Sequence, residues 1–108
     1  WILKEITYSI AGLEEIIFEN ISFAKAYPNP FNARTRVDYV LNPGIGEITT
    51  SVKVFNVQGK LIEVILLNKS TPGLNTFFWE PKNITSGVYI FELLTGNQKN
   101  ILKVLLLK

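Results

Sequence analysis

The stretch TRVDYVLNPG, from Thr35 to Gly44, decides the fold class of this chain. Val37, Tyr39 and Leu41 fall on one face and the charged Arg36 and Asp38 on the other, as in a β-strand with one buried face. The Asn-Pro-Gly triplet that follows is typical of a turn, because proline cannot donate to a sheet and glycine tolerates unusual backbone angles. We therefore predict a strand that ends near Leu41 and covers a hydrophobic core.

The same pattern recurs from about Ala24 to Leu107. Apolar runs with a period of two are separated by turn sequences, and in the turn Asn56-Val57-Gln58-Gly59 the glycine is placed to adopt a positive φ angle. Six such runs, and a seventh around Ala24 to Tyr27, predict an all-β chain in which two sheets enclose one core. The side chains predicted to fill this core are Val37, Tyr39, Val54, Trp79 and Tyr89.

Residues 1–23 fit two patterns. Ile2, Ile6, Tyr8 and Ile10 alternate as in a strand, whereas the apolar positions between residues 13 and 21 also fit one face of a helix. We favour two strands around Ala11-Gly12. Because this segment is too small for its own core, we predict an N-terminal extension over 1–23 and one domain over 24–108. The extension is expected to be a linker, a remnant of a preceding domain or a donor strand.

Composition excludes several classes of function. The chain has 108 residues, no cysteine, no histidine and a net charge of +2. These counts argue against disulfides, thiolate or histidine metal sites and histidine-based catalysis.

The scattered cations do not predict a nucleic-acid site, and no apolar run is long enough to span a membrane. The carboxylates are dispersed along the chain. Asp38, which is close in sequence to Arg34 and Arg36, is predicted to form a surface ion pair. We expect no enzyme activity, cofactor, metal or small-molecule substrate.

Five short stretches and one tryptophan carry a resemblance to a known family. They are AYPNPFN at residues 26–32, TRVDYVL at residues 35–41 and VKVFNVQG at residues 52–59, followed by Trp79, by SGVY at residues 86–89 and by KVLLLK at residues 103–108. In order and spacing they resemble the C-terminal sorting domain of proteins exported by the type IX (Por) secretion system. The immunoglobulin-like domain of flagellar hook-capping proteins shares much of the pattern.

The resemblance implies an immunoglobulin-like β-sandwich of about seven antiparallel strands, with the N-terminal β extension before it. It also implies a non-catalytic sorting or anchoring module that is recognised by the secretion machinery. The location would be extracellular or on the outer cell surface, after export through the periplasm. The motif residues, to which we assign mainly structural roles, are Tyr27, Pro28, Asn29, Pro30, Phe31, Asn32, Gly59, Trp79, Ser86, Gly87, Val88 and Tyr89.

Several motif residues carry specific expectations. Pro28 and Pro30 are predicted to keep the segment around Asn29 as an extended edge that cannot accept another strand. Phe31 is expected to plug the core. Ser86-Gly87 is expected to form a turn that directs Val88 and Tyr89 into a sheet.

The last strand is apolar on both faces, so one face is left for the N-terminal extension or a partner after the core has covered the other. We therefore take the end of this strand as the candidate recognition element for the secretion machinery. Its residues are Lys103, Val104, Leu105, Leu106, Leu107 and Lys108.

Two other functions stay open from the sequence. Residues 1–23 could supply a strand to another copy of the chain in an extracellular assembly. Alternatively, Phe77 and Trp79, which share a strand face, could stack on sugars in an ancillary carbohydrate-binding module. We favour burial of this aromatic pair, with Phe78 on the exposed face.

Overall fold

The computed structural model describes residues 5–10, 13–18, 20–44 and 46–108, and it describes side chains from residue 20 onward. Nine strands lie in this part of the chain. They are β1 (Glu5–Ile10), β2 (Leu13–Phe18), β3 (Ile21–Tyr27), β4 (Thr35–Leu41), β5 (Ile48–Asn56), β6 (Leu61–Ser70), β7 (Gly73–Trp79), β8 (Gly87–Thr95) and β9 (Gln98–Leu106). No helix in the described residues is long and apolar enough to cross a membrane.

Strands β3 to β9 form a sandwich of two antiparallel sheets. One sheet has the order β3-β4-β7 and the other has the order β6-β5-β8-β9. This arrangement confirms the predicted all-β, immunoglobulin-like sandwich of seven strands.

The N-terminal strands β1 and β2 pair antiparallel with each other and form a separate two-stranded sheet. The strand interpretation of this segment is therefore confirmed over residues 5–10 and 13–18. The predicted turn at Ala11-Gly12, and Ile2, lie outside the described residues.

The core is built on aromatic rings from both sheets. All five predicted core residues are buried. The ring of Trp79 lies edge-on to Phe91 and Tyr89, with centroid distances of 5.0 and 5.5 Å. Its indole Nε1 donates a 3.0 Å hydrogen bond to Glu63 on the opposite sheet. Trp79 therefore connects the two layers through both packing and a polar contact.

The β5–β6 turn has the predicted chemistry. Gly59 has a φ of 81°, an angle that side chains on other residues disfavour. The side-chain Oδ1 of Asn56 accepts hydrogen bonds from the amides of Gln58 and Lys60, both at 3.0 Å. These bonds hold the turn that sets the register of β6 against β5.

The prediction of a surface ion pair at Asp38 is wrong in part. Asp38 is only 9% exposed and accepts hydrogen bonds from Thr76 at 2.7 Å and Tyr27 at 3.0 Å, besides its contact with Arg36 at 3.3 Å. Arg34 instead lies over the ring of Phe78. The carboxylate does point away from the core, but side chains from both neighbouring strands cover it.

Truncation of Trp79 tests the description of the core. We expect Trp79→Ala to lower the free energy of unfolding by about 3–5 kcal/mol, because a large buried ring is replaced by a cavity. Phe78→Ala is the matched control on the same strand, since Phe78 is 54% exposed, and should cost about 1 kcal/mol or less. Urea unfolding followed by circular dichroism measures both. Equal losses for the two variants would contradict the assigned faces of β7.

Candidate recognition surface

The segment that carries the two motif prolines is bent. The Tyr27–Pro28 and Asn29–Pro30 peptide bonds are both cis. Residues 28–30 form bends, so the prediction of an extended edge is wrong. The physical reason is tertiary: the segment turns away from β3 and lies against the outer edge of β9 in the other sheet, where it is held by hydrogen bonds.

Residues 29–32, which we call the closing segment, bond to β9 through main chain and side chains. The amide of Phe31 donates to the carbonyl of Leu105 at 2.9 Å, and the amide of Leu107 donates to the carbonyl of Phe31 at 2.8 Å. Together they form a short parallel bridge between Phe31 and Leu106. The closing segment thus pairs with the one edge of β9 that β8 leaves open.

Two asparagine side chains extend this pairing. Asn29 Nδ2 donates to the carbonyl of Lys103 at 3.0 Å, and its Oδ1 accepts from the amide of Leu105 at 2.9 Å. Asn32 Nδ2 donates to the carbonyl of Leu107 at 3.1 Å. Because prolines lack an amide hydrogen, the asparagine side chains supply donors that the main chain of this segment does not have.

The closing segment is also anchored in the core. The ring of Phe31 is 2% exposed and lies 5.6 Å from the ring of Trp79. On the other side, the hydroxyl of Thr35 donates to the carbonyl of Pro28 at 2.9 Å. The structure therefore places Phe31 as a plug between the sheets while its main chain bonds to β9.

The Ser-Gly-Val-Tyr motif holds the same end of β9 from the other side. Ser86 Oγ accepts a hydrogen bond from the amide of Lys108 at 2.9 Å. Gly87 begins β8 opposite Leu106. Tyr89 enters the core, and its hydroxyl donates to the carbonyl of Thr85 at 2.7 Å. Val88 points to the outer face, where it is half-buried opposite Leu105.

The structure divides the six candidate recognition residues into two groups. Val104 and Leu106 are buried in the core. Lys103, Leu107 and Lys108 are exposed, and Leu105 is half-buried. In the folded domain, only Lys103, Leu105, Leu107 and Lys108 of these six are accessible to a partner. The closing segment lies beside them.

A shallow apolar groove lies next to this end of β9, on the outer face of the four-stranded sheet. Its walls come from the β5–β6 turn and from β8, and Lys103 stands at its margin. The lining residues are Phe55, Asn56, Val57, Gly59, Val88, Ile90 and Lys103.

A family model described as a secretion system C-terminal sorting domain matches residues 25–107, from within β3 to just beyond β9. The chain belongs to this sorting-domain family. The match confirms the resemblance read from residues 24–108. The similarity to flagellar hook-capping domains stays a prediction.

Two solved structures from Porphyromonas gingivalis are similar to this sorting domain. Dimeric latent PorU aligns with a TM-score of 0.64 and 13% identity, over 88% of this chain and 11% of that one. PorZ, described as a surface component of the type IX secretion system, aligns with a TM-score of 0.51 and 15% identity, over 79% of this chain and 11% of that one. At such identities the likeness shows the fold alone, and this chain corresponds to about a tenth of each. No curated protein matches the chain.

The structure bears on the two other functions considered from the sequence. Phe77 and Trp79 are buried, at 6% and 2% exposure, so this pair offers no platform for a sugar ring. In the extension, β1 pairs with β2 of the same chain. This pairing within one chain does not favour donation of β1 to another copy.

Sequence reasoning missed the role of Asn29 and Asn32. The pattern contained one usable signal, since an asparagine between two prolines supplies the donor that both neighbours lack. It did not reveal which edge those donors reach.

Substitution of Asn29 tests the side-chain part of this closure. We expect Asn29→Ala to lower the free energy of unfolding by about 1–2 kcal/mol, since two hydrogen bonds to β9 are lost and each contributes roughly 0.5–1.5 kcal/mol. Asn29→Asp keeps the acceptor for the Leu105 amide but turns a carboxylate oxygen towards the carbonyl oxygen of Lys103. The repulsion between these two acceptors should keep its stability below that of the parent. Denaturant unfolding measures both. A neutral Asn29→Ala would show that these bonds do not stabilise the domain.

Proposed function

We propose that this domain is a non-catalytic sorting module whose folded end is recognised by the type IX secretion machinery. Membership of the sorting-domain family supports the general assignment. The proposal goes further in assigning the recognition surface to the end of β9 where the closing segment lies, with Lys103, Leu107 and Lys108 as its exposed side chains.

One observation carries this proposal. Asn29 and Leu105 are 76 positions apart in the chain, and they are joined by a direct hydrogen bond. The Tyr-Pro-Asn-Pro-Phe motif and the apolar, lysine-flanked end thus form one surface, which exists only when the sandwich is folded. A receptor that reads this surface would distinguish a folded domain from an unfolded tail.

Under this proposal the protein to which the domain is attached is exported to the cell surface or the medium. The partner is a component of the secretion machinery. The chemistry of the surface is mixed, since cationic side chains stand beside an exposed leucine and the amide groups of Asn29 and Asn32. Such a surface suits a protein partner with acidic groups around an apolar contact.

Export of a fused reporter protein tests the proposal in a bacterium with a type IX system. Deletion of residues 103–108 should abolish export, because it removes the candidate surface together with the buried Val104 and Leu106. Unchanged export of this deletion variant would refute the proposal.

A charge reversal separates recognition from folding. Lys103 and Lys99 are both exposed and lie four residues apart on the outer face of β9. Lys103→Glu should lower export by about tenfold, which corresponds to roughly 1.4 kcal/mol of lost binding, whereas Lys99→Glu should leave export unchanged. Both variants should unfold at the same denaturant concentration as the parent. Equal export by the two variants would exclude Lys103 from the recognised surface.

A further inference from the structure

The two edges of the four-stranded sheet differ in how they end. Residues 29–32 close the β9 edge from Lys103 to Leu107. At the opposite edge, β5 is the one strand that pairs with β6 among the described residues. An edge strand presents a row of main-chain donors and acceptors to another strand. β6 is therefore an edge of the four-stranded sheet to which a further strand can be added.

The middle of β6 lacks the features that usually protect a sheet edge. Val64 to Leu67 contains no charge, proline or glycine, whereas protected edges carry lysine, proline or a bulge at such positions. On the outer face, Val64 is 46% and Leu66 is 77% exposed. The one acidic residue next to this stretch, Glu63, is engaged by the indole of Trp79.

Irregularities limit the pairing stretch to five residues. The register of β5 against β6 shifts at residue 62 and again at residue 68, so Glu63 to Leu67 is the regular part between two bulges. Its centre is Ile65. A strand that adds here with regular hydrogen bonding has room for about five residues.

We propose that β6 pairs antiparallel with β6 of a second copy of the chain, about a two-fold axis at Ile65. In this register Val64 of each copy lies opposite Leu66 of the other, and Glu63 lies opposite Leu67. A two-fold axis at Glu63 would instead place two like charges face to face, which disfavours that register. Because the apolar stretch of β6 is complementary to itself in this register, the added strand is β6 of a second copy of the chain.

The dimer is expected to be reversible. A single added strand with its outward side chains buries less than about 1,000 Å² of surface, below the size of a stable interface. Pairing would merge two four-stranded sheets into one and would remove both free β6 edges. The proposal is independent of the export function, since β6 and the closing segment lie at opposite edges of the sheet.

Sedimentation of the 108-residue chain tests the dimer. We expect the mass to shift from monomer towards dimer between about 10 μM and 1 mM, the range suited to an interface of this size. Leu66→Lys should keep the protein monomeric throughout. Ile101→Lys, a matched control at a 62% exposed site on the outer face of β9, should dimerise like the parent. A monomer at every concentration, or loss of the dimer in Ile101→Lys but not in Leu66→Lys, would overturn the proposal.

Cysteine pairing tests the register, because the chain has no cysteine of its own. V64C in one copy lies opposite L66C in the other, with Cα atoms about 5 Å apart, within disulfide range. Two V64C residues are offset along the strands and lie roughly 8 Å apart, beyond that range. An oxidised mixture of V64C and L66C chains should therefore form mainly the mixed disulfide. Equal yields of mixed and like disulfides, or none, would contradict the two-fold axis at Ile65.

Discussion

The hydrogen bonds between residues 29–32 and β9 fix the geometry of this end of the sandwich. A last strand that pairs on one side only would leave its main chain available to any passing strand. Here the amide and carbonyl of Phe31, with the side chains of Asn29 and Asn32, occupy that edge. The closure holds the end of β9 in place, so Val104 and Leu106 stay in the core while Lys103 and Leu107 face outward.

The pairing of residues 29–32 with β9 also brings motifs that are distant in sequence into contact. Phe31 uses its ring to fill the core beside Trp79 and its main chain to pair with β9. The Ser86 hydroxyl binds the amide of Lys108 from the β8 side. Each motif is therefore structural in its buried part, and the surface proposed for recognition consists of what the same residues leave exposed. Stability and recognition are consequently coupled at this end of the sandwich.

Much of the fold could be predicted from local patterns, and the closure could not. Alternation assigns Phe77 and Trp79 to one face and Phe78 to the other, and the structure agrees. Local alternation does not report what lies across a strand, so it missed the Tyr27 and Thr76 hydroxyls that cover Asp38. Local alternation also does not report contacts between segments that are far apart in the sequence. Two prolines indicated a segment that resists pairing, whereas its asparagines and Phe31 pair with a strand more than 70 positions away.

Amide hydrogen exchange, followed residue by residue by NMR, tests the closure most directly. The amides of Phe31, Leu105 and Leu107 donate hydrogen bonds to Leu105 O, Asn29 Oδ1 and Phe31 O, respectively. If the closing segment holds the edge of β9, these three amides exchange as slowly as those of the paired central strand β5. Exchange of the three at the rate of an unstructured peptide, while β5 stays protected, would contradict the account.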